Sequence, residues 1–354
     1  MKKRLGIVYG GKSAEHEVSL STARAVTQAV DFSKYEVIPV YITYDGEWRR
    51  GSALEGPVVT LEELRLAGEG NDKPDSIHNF LNGGALDIVF PLLHGTNGED
   101  GTVQGLFEVM NIPYVGNGVL ASSAGMDKVV MKQLFAQVDL QQVPYVFFLR
   151  SGWVQERQQW IDKMENELSW PMFVKPANLG SSVGISQATD RESLIAAVDM
   201  ALKFDRRIIV EQGVVAREIE MGVMGNDEPA CSVPGEIKPV TAFYDYEAKY
   251  KDGNTELVIP AQVSAEVAQT MADMALRAYK VLDCSGLVRA DFFVTAADEV
   301  LINEVNTMPG FTPTSMFPLL WQQTGVAYPE LIDKLIELAI QRHAEKQNIQ
   351  YMMD

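Results

Sequence analysis

Arg289, Asp291, Glu304 and Asn306 are the residues whose types and spacing point most directly to chemistry. They lie in LVRADFFVTAADEVLINEVN, from Leu287 to Asn306, where two runs rich in β-branched and aromatic residues flank Ala296-Ala297-Asp298 and predict an antiparallel hairpin. Pairing symmetrically about Ala297-Asp298 sets Asp291 opposite Glu304 and Arg289 opposite Asn306, and strand alternation sends all four to one face. Carboxylates facing each other at roughly 5 Å repel unless a cation lies between them. Their hard oxygens, with the Asn306 amide, suit magnesium, which is usually held by one or two carboxylates and substrate phosphates. Arg289 cannot ligate a metal and would instead steady an anion developing beside it. Taken alone, an exposed ion-paired face accounts for the same residues equally well. The following Met308-Pro309-Gly310-Phe311-Thr312 favours the first reading, because a glycine turn can bring a backbone N–H against a ligand.

Other candidates are scattered along the chain. Phe173-Val174-Lys175-Pro176 puts a lysine at a strand end, and Gly180-Ser181-Ser182-Val183-Gly184 supplies a turn whose hydroxyls and N–H groups can close over phosphates, although a plain loop would use the same glycines. Lys128 and Lys249 could converge with Lys175. Glu211 and Glu218 flank QGVVAR, where polar groups could grip adenine and ribose. The stretch Tyr244 to Tyr250 is long enough for a lid, with a solvated loop as the default. Glu15, at a helix start, is explained by compensation of the helix dipole at least as well as by capture of a substrate ammonium group. His94 follows a strand and is either a satisfied core histidine or a ligand contact. Gly6 to Ser13, GIVYGGKS, matches the P-loop pattern in the wrong context: Ile7, Val8 and Tyr9 belong inside a strand, whereas a P-loop begins after one.

The elements that must position these residues read as α/β. Leu5–Tyr9, Tyr35–Thr43, Ala85–Leu93 and a short Ile112–Val115 are predicted strands, with helices over Ser13–Val30 and, briefly, Leu61–Ala67. A helix from Gly118 through Val138 leads to a second unit: strand VPYVFFLR, helix Trp153–Leu168, strand MFVKPA, strand Val183–Gln187, helix Arg191–Phe204 and strand Arg207–Glu211. Two helices on one small mixed sheet fit that order. The strand REIEMGVMG, the helix Ala265–Leu282, the hairpin, a helix at LLWQQTG and a helix Glu330–His343 follow. Boundaries are expected at 1–127, 128–213 and 214–354.

The chain has 354 residues, enough for two or three domains, and its 46% hydrophobic and 22% charged content is ordinary for a folded protein. A net charge of −18 argues against a nucleic-acid or anionic-membrane surface, so a phosphate site must be a local cluster. No apolar run approaches the roughly 18 residues of a membrane span, and a cytoplasmic location is expected. Cys231 and Cys284, without CxxC spacing, point to packing rather than a disulfide or zinc site.

Together SAEHEVSL, LHGTNGEDGTVQG, VGNGVLASSAGMDK, VKPANLGSSVG, YDYEAKY, VRADFF and NEVNTMPGFTPTS resemble the D-alanine:D-alanine ligase family of the ATP-grasp superfamily over nearly the whole chain. The resemblance implies an α/β, three-domain ATP-grasp architecture with an N-terminal Rossmann-like domain, and ATP-dependent ligation of two D-alanines through an acyl phosphate, for peptidoglycan precursor synthesis. It implies that Asp291, Glu304 and Asn306 hold two magnesium ions, with manganese as a substitute. Lys128, Lys175, Lys249, Ser181 and Ser182 would grip ATP phosphates, Glu211 and Glu218 adenine and ribose, and Phe243 would pack on the adenine. Glu15 would take the first substrate's ammonium group, with His94 nearby. Arg289 and the Gly310 N–H would stabilise the tetrahedral oxyanion, and Ser315 would bind the second carboxylate. Ser181 and Tyr250 would bridge Glu15 to the lid. Tyr250, in the EAKY pattern, favours D-alanine over D-lactate or D-serine as second substrate. A non-catalytic nucleotide-binding regulator is the alternative of another class. The family also implies a homodimer.

Overall fold

The structure, a computed structural model, describes residues 2–67, 80, 84–180, 182–239, 255–350 and 352. The first apolar run forms β1 (Lys3–Gly10), followed by α1 (His16–Ala29), β2 (Tyr35–Ile42), β3 (Trp48–Arg50) and β4 (Ile88–Pro91), in a sheet of order β3-β2-β1-β4. β2 and β4 run parallel to β1, and β3 is an antiparallel edge. Leu5, Ile7, Tyr9, Val37, Ile88 and Phe90 are almost wholly buried, as expected of parallel strands covered on both faces. The chain leaves β1 through Gly10 at φ 92°, where a Cβ would sit 2.1 Å from the Ile42 carbonyl oxygen, so only glycine fits. Gly6 to Gly10 lie inside β1 and Lys12 is exposed, as the rejection of a P-loop requires.

Several sequence expectations are corrected. The Leu61–Ala67 helix is a single 3-10 turn, Glu62–Leu64, and Ile112–Val115 contributes one bridge, Val89 to Tyr114, rather than a strand. α2 (Thr102–Val109) precedes what was expected to be one long helix but is two, α3 (Val119–Met126) and α4 (Lys128–Gln137). Asp127 between them is extended, and its carboxylate accepts the N–H groups of Val129 and Val130 as an N-cap, which restarts the helix in a new direction.

The second sheet comprises β5 (Tyr145–Leu149), β6 (Met172–Pro176), β7 (Ser186–Ala188) and β8 (Arg207–Gln212), in the order β5-β8-β6-β7. All its pairings are antiparallel, not mixed. α5 (Arg150–Glu167) and α6 (Arg191–Ala201) cover one face, burying Met172, Val174, Ile208 and Val210. The other face carries Phe173, Lys175, Ile209 and Glu211, where Ile209 packs with Val129 and Glu211 meets Lys132, both of α4.

The third sheet is antiparallel, in the order β11-β10-β9-β12-β13, with β9 (Ala216–Gly225), β10 (Ala230–Pro239), β11 (Thr255–Val258), β12 (Gly286–Thr295) and β13 (Val300–Asn306). The sequence reading missed β3, β10 and β11. α7 (Ala265–Val281) packs on one face with Met271, Met274, Ala278 and Tyr279 against Ile219, Val223, Val288 and Phe292; Ala121, Ala124, Met131 and Phe135 of α3 and α4 join the same core. α8 (Met316–Gln323) lies over Gly222 on the opposite face, and α9 (Tyr328–Lys346) ends the fold. Phe317, Trp321, Leu331, Leu335, Ile336 and Ala339 of these helices share a core with Leu5, Ile7, Tyr9, Val26 and Val37 of the first unit. No described helix is long and apolar enough to cross a membrane.

Candidate active site

The hairpin register is the one read from the sequence: Arg289 pairs with Asn306 and Asp291 with Glu304. Strand alternation leaves Arg289, Asp291 and Phe293 half-buried on the polar face, while Val288, Ala290 and Phe292 are buried under α7. β9 extends the row, pairing Glu220 with Asp291 and Glu218 with Phe293. Arg289 donates from Nε to Asp291 Oδ1 at 2.7 Å and from a terminal nitrogen to Oδ2 at 2.6 Å, and its Nε lies 3.0 Å from Glu220 Oε2. Burial alone would lower the Arg289 pKa, but Asp291 and Glu220 raise it well above the usual range. The Asn306 amide donates to Asp291 Oδ2 at 2.9 Å.

α4 and the second sheet bring lysines to this face. The Lys128 ammonium donates to the Leu179 carbonyl at 2.8 Å and lies 4.0 Å from Glu304 Oε2. Lys175 donates to Glu211 Oε2 at 2.5 Å, while Lys132 lies 3.1 Å from the other Glu211 oxygen. Burial would raise the Glu211 pKa, yet Lys132 and Lys175 outweigh it and hold the carboxyl down to about 2. Lys175 shifts up: burial opposes its charge, but Glu211, Glu304 and Glu218 favour it.

Glu15 caps the start of α1 without a side-chain capping bond and is 8% exposed. It lies against two loops: a Cβ on Gly95 would come within 2.7 Å of Glu15 Oε2, and one on Gly180 within 3.4 Å. The glycine-serine turn thus reaches the Glu15 carboxylate. His94 is 4% exposed, with Nε2 3.2 Å from the Thr22 hydroxyl and Nδ1 3.8 Å from Glu99 Oε1. Burial pushes the His94 imidazole down, and Glu99 and Glu15 more than reverse it. Burial raises Glu99, as does the charge of Glu15, against the opposing pull of His94. The Ser315 hydroxyl lies 2.7 Å from the Thr312 hydroxyl and accepts the Thr312 N–H at 3.1 Å; a Cβ on Gly310 would come within 3.2 Å of it.

The structure therefore joins Glu15 and His94 through Gly95, Gly180 and Glu99, brings Lys128, Lys175, Glu211 and Glu304 together, and sets Gly310 beside Ser315. Ser182 follows Gly180 in the same turn, at φ 57°. Ser181, Phe243, Lys249 and Tyr250 lie outside the described residues. Lys132, Glu99 and Glu220 were missed, though two carried a signal: Lys132 is one helical turn after Lys128, and Glu220 is the next residue on Glu218's face of a strand.

No group of three or more His, Cys, Asp or Glu side chains able to hold a metal occurs among the described residues. The Asp291, Glu304 and Asn306 set nevertheless fits magnesium, whose remaining ligands come from phosphates and water: it is all hard oxygen, and it is placed beside lysines suited to those phosphates. A lysine-bearing sheet facing a carboxylate-bearing one, with Glu15 and His94 buried and Glu99 half-buried beside it, fits a nucleotide-dependent ligase of the ATP-grasp fold. Family models for the D-ala D-ala ligase N-terminus and C-terminus match residues 4–117 and 134–337. The chain is 58% identical over 359 residues to the D-alanine–D-alanine ligase of Bacillus licheniformis, covering 99% of each, and 54% identical to that of Listeria monocytogenes, covering 100% of each. Among solved structures it is similar to the Coxiella burnetii D-alanine-D-alanine ligase, with TM-score 0.80 and 32% identity over 98% of this chain and 96% of that one. The VanG D-Ala:D-Ser ligase of Enterococcus faecalis gives TM-score 0.81 and 32% identity over 96% and 100%. The chain belongs to the D-alanine–D-alanine ligase family.

Proposed function

We propose that this chain joins two D-alanines as follows, with residues 1–127 holding the first substrate, 128–213 the nucleotide, and 214–354 the metal and oxyanion groups. Glu15 holds the first D-alanine's ammonium group, with His94 beside it, and so aims the carboxylate at the γ-phosphate of ATP. Lys128, Lys175 and the N–H groups of the turn carrying Ser181 and Ser182 bind the phosphates, joined by Lys249. Glu211, Glu218 and Phe243 take the ribose and adenine. Asp291, Glu304 and Asn306 would hold two magnesium ions, which would supply neutralising charge to phosphate oxygens. The carboxylate oxygen attacks the γ-phosphorus, ADP leaves, and an acyl phosphate forms. Ser315 orients the second D-alanine by its carboxylate. Its amine, as the free base, attacks the acyl carbon, the Arg289 guanidinium and the Gly310 N–H stabilise the oxyanion, and phosphate departs carrying the proton that the amine gives up. Ser181 and Tyr250 link Glu15 to the lid and exclude water.

The observation that carries this reading is the pairing of Asp291 with Glu304 and of Arg289 with Asn306 on one face, opposite Lys128 and Lys175. Phosphate release from ATP and magnesium, measured with D-alanine, L-alanine, D-serine, D-lactate or no acceptor and with products identified by mass, tests it. D-alanine-dependent release with the dipeptide as product is expected, reduced more than about 100-fold by Glu304→Gln. ATP binding without D-alanine-dependent turnover would sink the reading. The cytoplasmic location and homodimer rest on the family reading, and light scattering at roughly twice the chain mass checks the dimer.

A further inference from the structure

Glu211 has two lysines where one would neutralise it. Its carboxylate is 3% exposed and lies between Lys132, 3.1 Å from Oε1, and Lys175, 2.5 Å from Oε2. Lys175 is 12% exposed and sits in the field of Glu304 and Glu218, at the edge of the cleft, where it can turn to a phosphate. Lys132 is 1% exposed, lies 5.7 Å above the Tyr145 ring, and has no such outlet. Its ammonium nitrogen and Glu211 Oε1 are fully buried, and neither completes a hydrogen bond among the described residues. A buried ammonium held this way is costly unless its charge is used. With a nucleotide phosphate at Lys175, as in the function proposed above, Lys132 would be left as the one close cation on Glu211 among the described residues.

We propose that Lys132 is a positioning residue for nucleotide choice, holding Glu211 ionised and turned by Oε1 so that Oε2 meets the purine 6-position as a pure hydrogen-bond acceptor. This rests on the ligase reading in placing adenine at Glu211 and a phosphate at Lys175. An ionised carboxylate accepts the N–H of a 6-amino purine and repels the oxygen of a 6-oxo purine. Without Lys132, a buried carboxyl whose second lysine is occupied takes up a proton, becomes a donor as well, and tolerates the 6-oxo group. Lys132 thus sets the preference for adenosine over inosine nucleotides without touching either.

The test compares the full-length chain with its Lys132→Met, Lys132→Gln and Lys132→Arg variants, using ATP and ITP, which differ in the 6-amino or 6-oxo group and in N1, an acceptor in ATP and a donor in ITP. Phosphate release at saturating D-alanine gives kcat and KM for each, and calorimetric titration with ADP and IDP gives the same preference without turnover. The expected result is a fall of about tenfold or more in the ATP-to-ITP ratio of kcat/KM for Lys132→Met and Lys132→Gln, carried by KM, with Lys132→Arg recovering most of it. A ratio unchanged in the charge-removing variants, or a parallel loss with both nucleotides, would overturn the proposal. If Lys132→Met fails to fold, Lys132→Gln, which retains an N–H donor, decides. A wild-type chain that binds ADP over IDP but does not ligate D-alanine would refute the reaction, while the titrations would still decide the role of Lys132.

Discussion

The Glu211 carboxyl is held at about 2, below its ordinary value of 4.5, because two buried ammonium groups outweigh its own burial. A carboxylate with a depressed folded-state pKa stabilises the fold above its unfolded value, and that contribution is lost as pH falls through the folded one. The window is therefore from about pH 4.5 down to about pH 2, and the contribution is on the order of 3 kcal/mol. Urea unfolding of the wild type between pH 5 and pH 3 should show stability falling with acid, and Glu211→Gln should flatten part of that slope. An unchanged slope would mean the carboxylate is not held down. The thiols give a second residue-scale prediction. Burial pushes Cys231 up to about 11 and Cys284 higher still, and both are free. Since the thiolate is the reactive form, Ellman's reagent at pH 8 should label both at least about tenfold more slowly in the native chain than after unfolding.

Among the elements, α8 rests on β9 at Gly222, where a Cβ would come within 2.9 Å of the Trp321 ring nitrogen and 3.2 Å of Phe317. Gly222→Val should displace α8 and with it Ser315 at its N-terminus, lowering stability by about 1 to 3 kcal/mol and raising the KM for the second D-alanine. A thermal melt and D-alanine kinetics check this; an unaltered KM would separate α8 from the substrate site. The hairpin shows how far the elements were legible in the sequence. Symmetric pairing about Ala297-Asp298 gave the right partners by another route. The turn holds three residues, with Asp298 at φ 60°, and would by itself oppose Asp291 to Asn303; an irregularity between Asp291 and Phe292 restores Glu304. Strongly alternating strands such as β12 declared themselves. β3 is only three residues long, and β10 contains Pro234 and Gly235, so neither offers a clean period. The break between α3 and α4 was written in Asp127, a good capping residue, but apolar residues continued across it. At the site, charge and alternation exposed the hairpin groups, whereas Glu99 and its contact with His94 arise from a loop fold that no local pattern encodes.

At the scale of the whole molecule, Asn117 ties the first unit to the third. Its amide nitrogen donates to the carbonyls of Leu287 at 2.7 Å and Thr307 at 2.8 Å, and its oxygen accepts the Ser285 N–H at 2.9 Å, all buried. Asn117→Ala would leave three buried backbone groups without these partners, a cost of about 3 to 5 kcal/mol. A fall in Tm of several degrees, with loss of D-alanine-dependent phosphate release at temperatures the wild type tolerates, is expected; a change under about 1 kcal/mol would show that the joint does not depend on this residue.

The core shared by β1, β2 and α1 with α8 and α9 also has a consequence in time. A ribosome adding roughly 5 to 20 residues per second needs on the order of 10 to 40 s to travel from Asn117 to Ala339. Throughout that interval the apolar side chains of Leu5, Ile7, Tyr9 and Val26 wait for Phe317, Trp321, Leu331 and Ile336. The second sheet, whose core draws only on Val146 through Val210, has all its parts long before. The middle of the chain is therefore the portion equipped to fold first during synthesis, and the beginning is completed by the end.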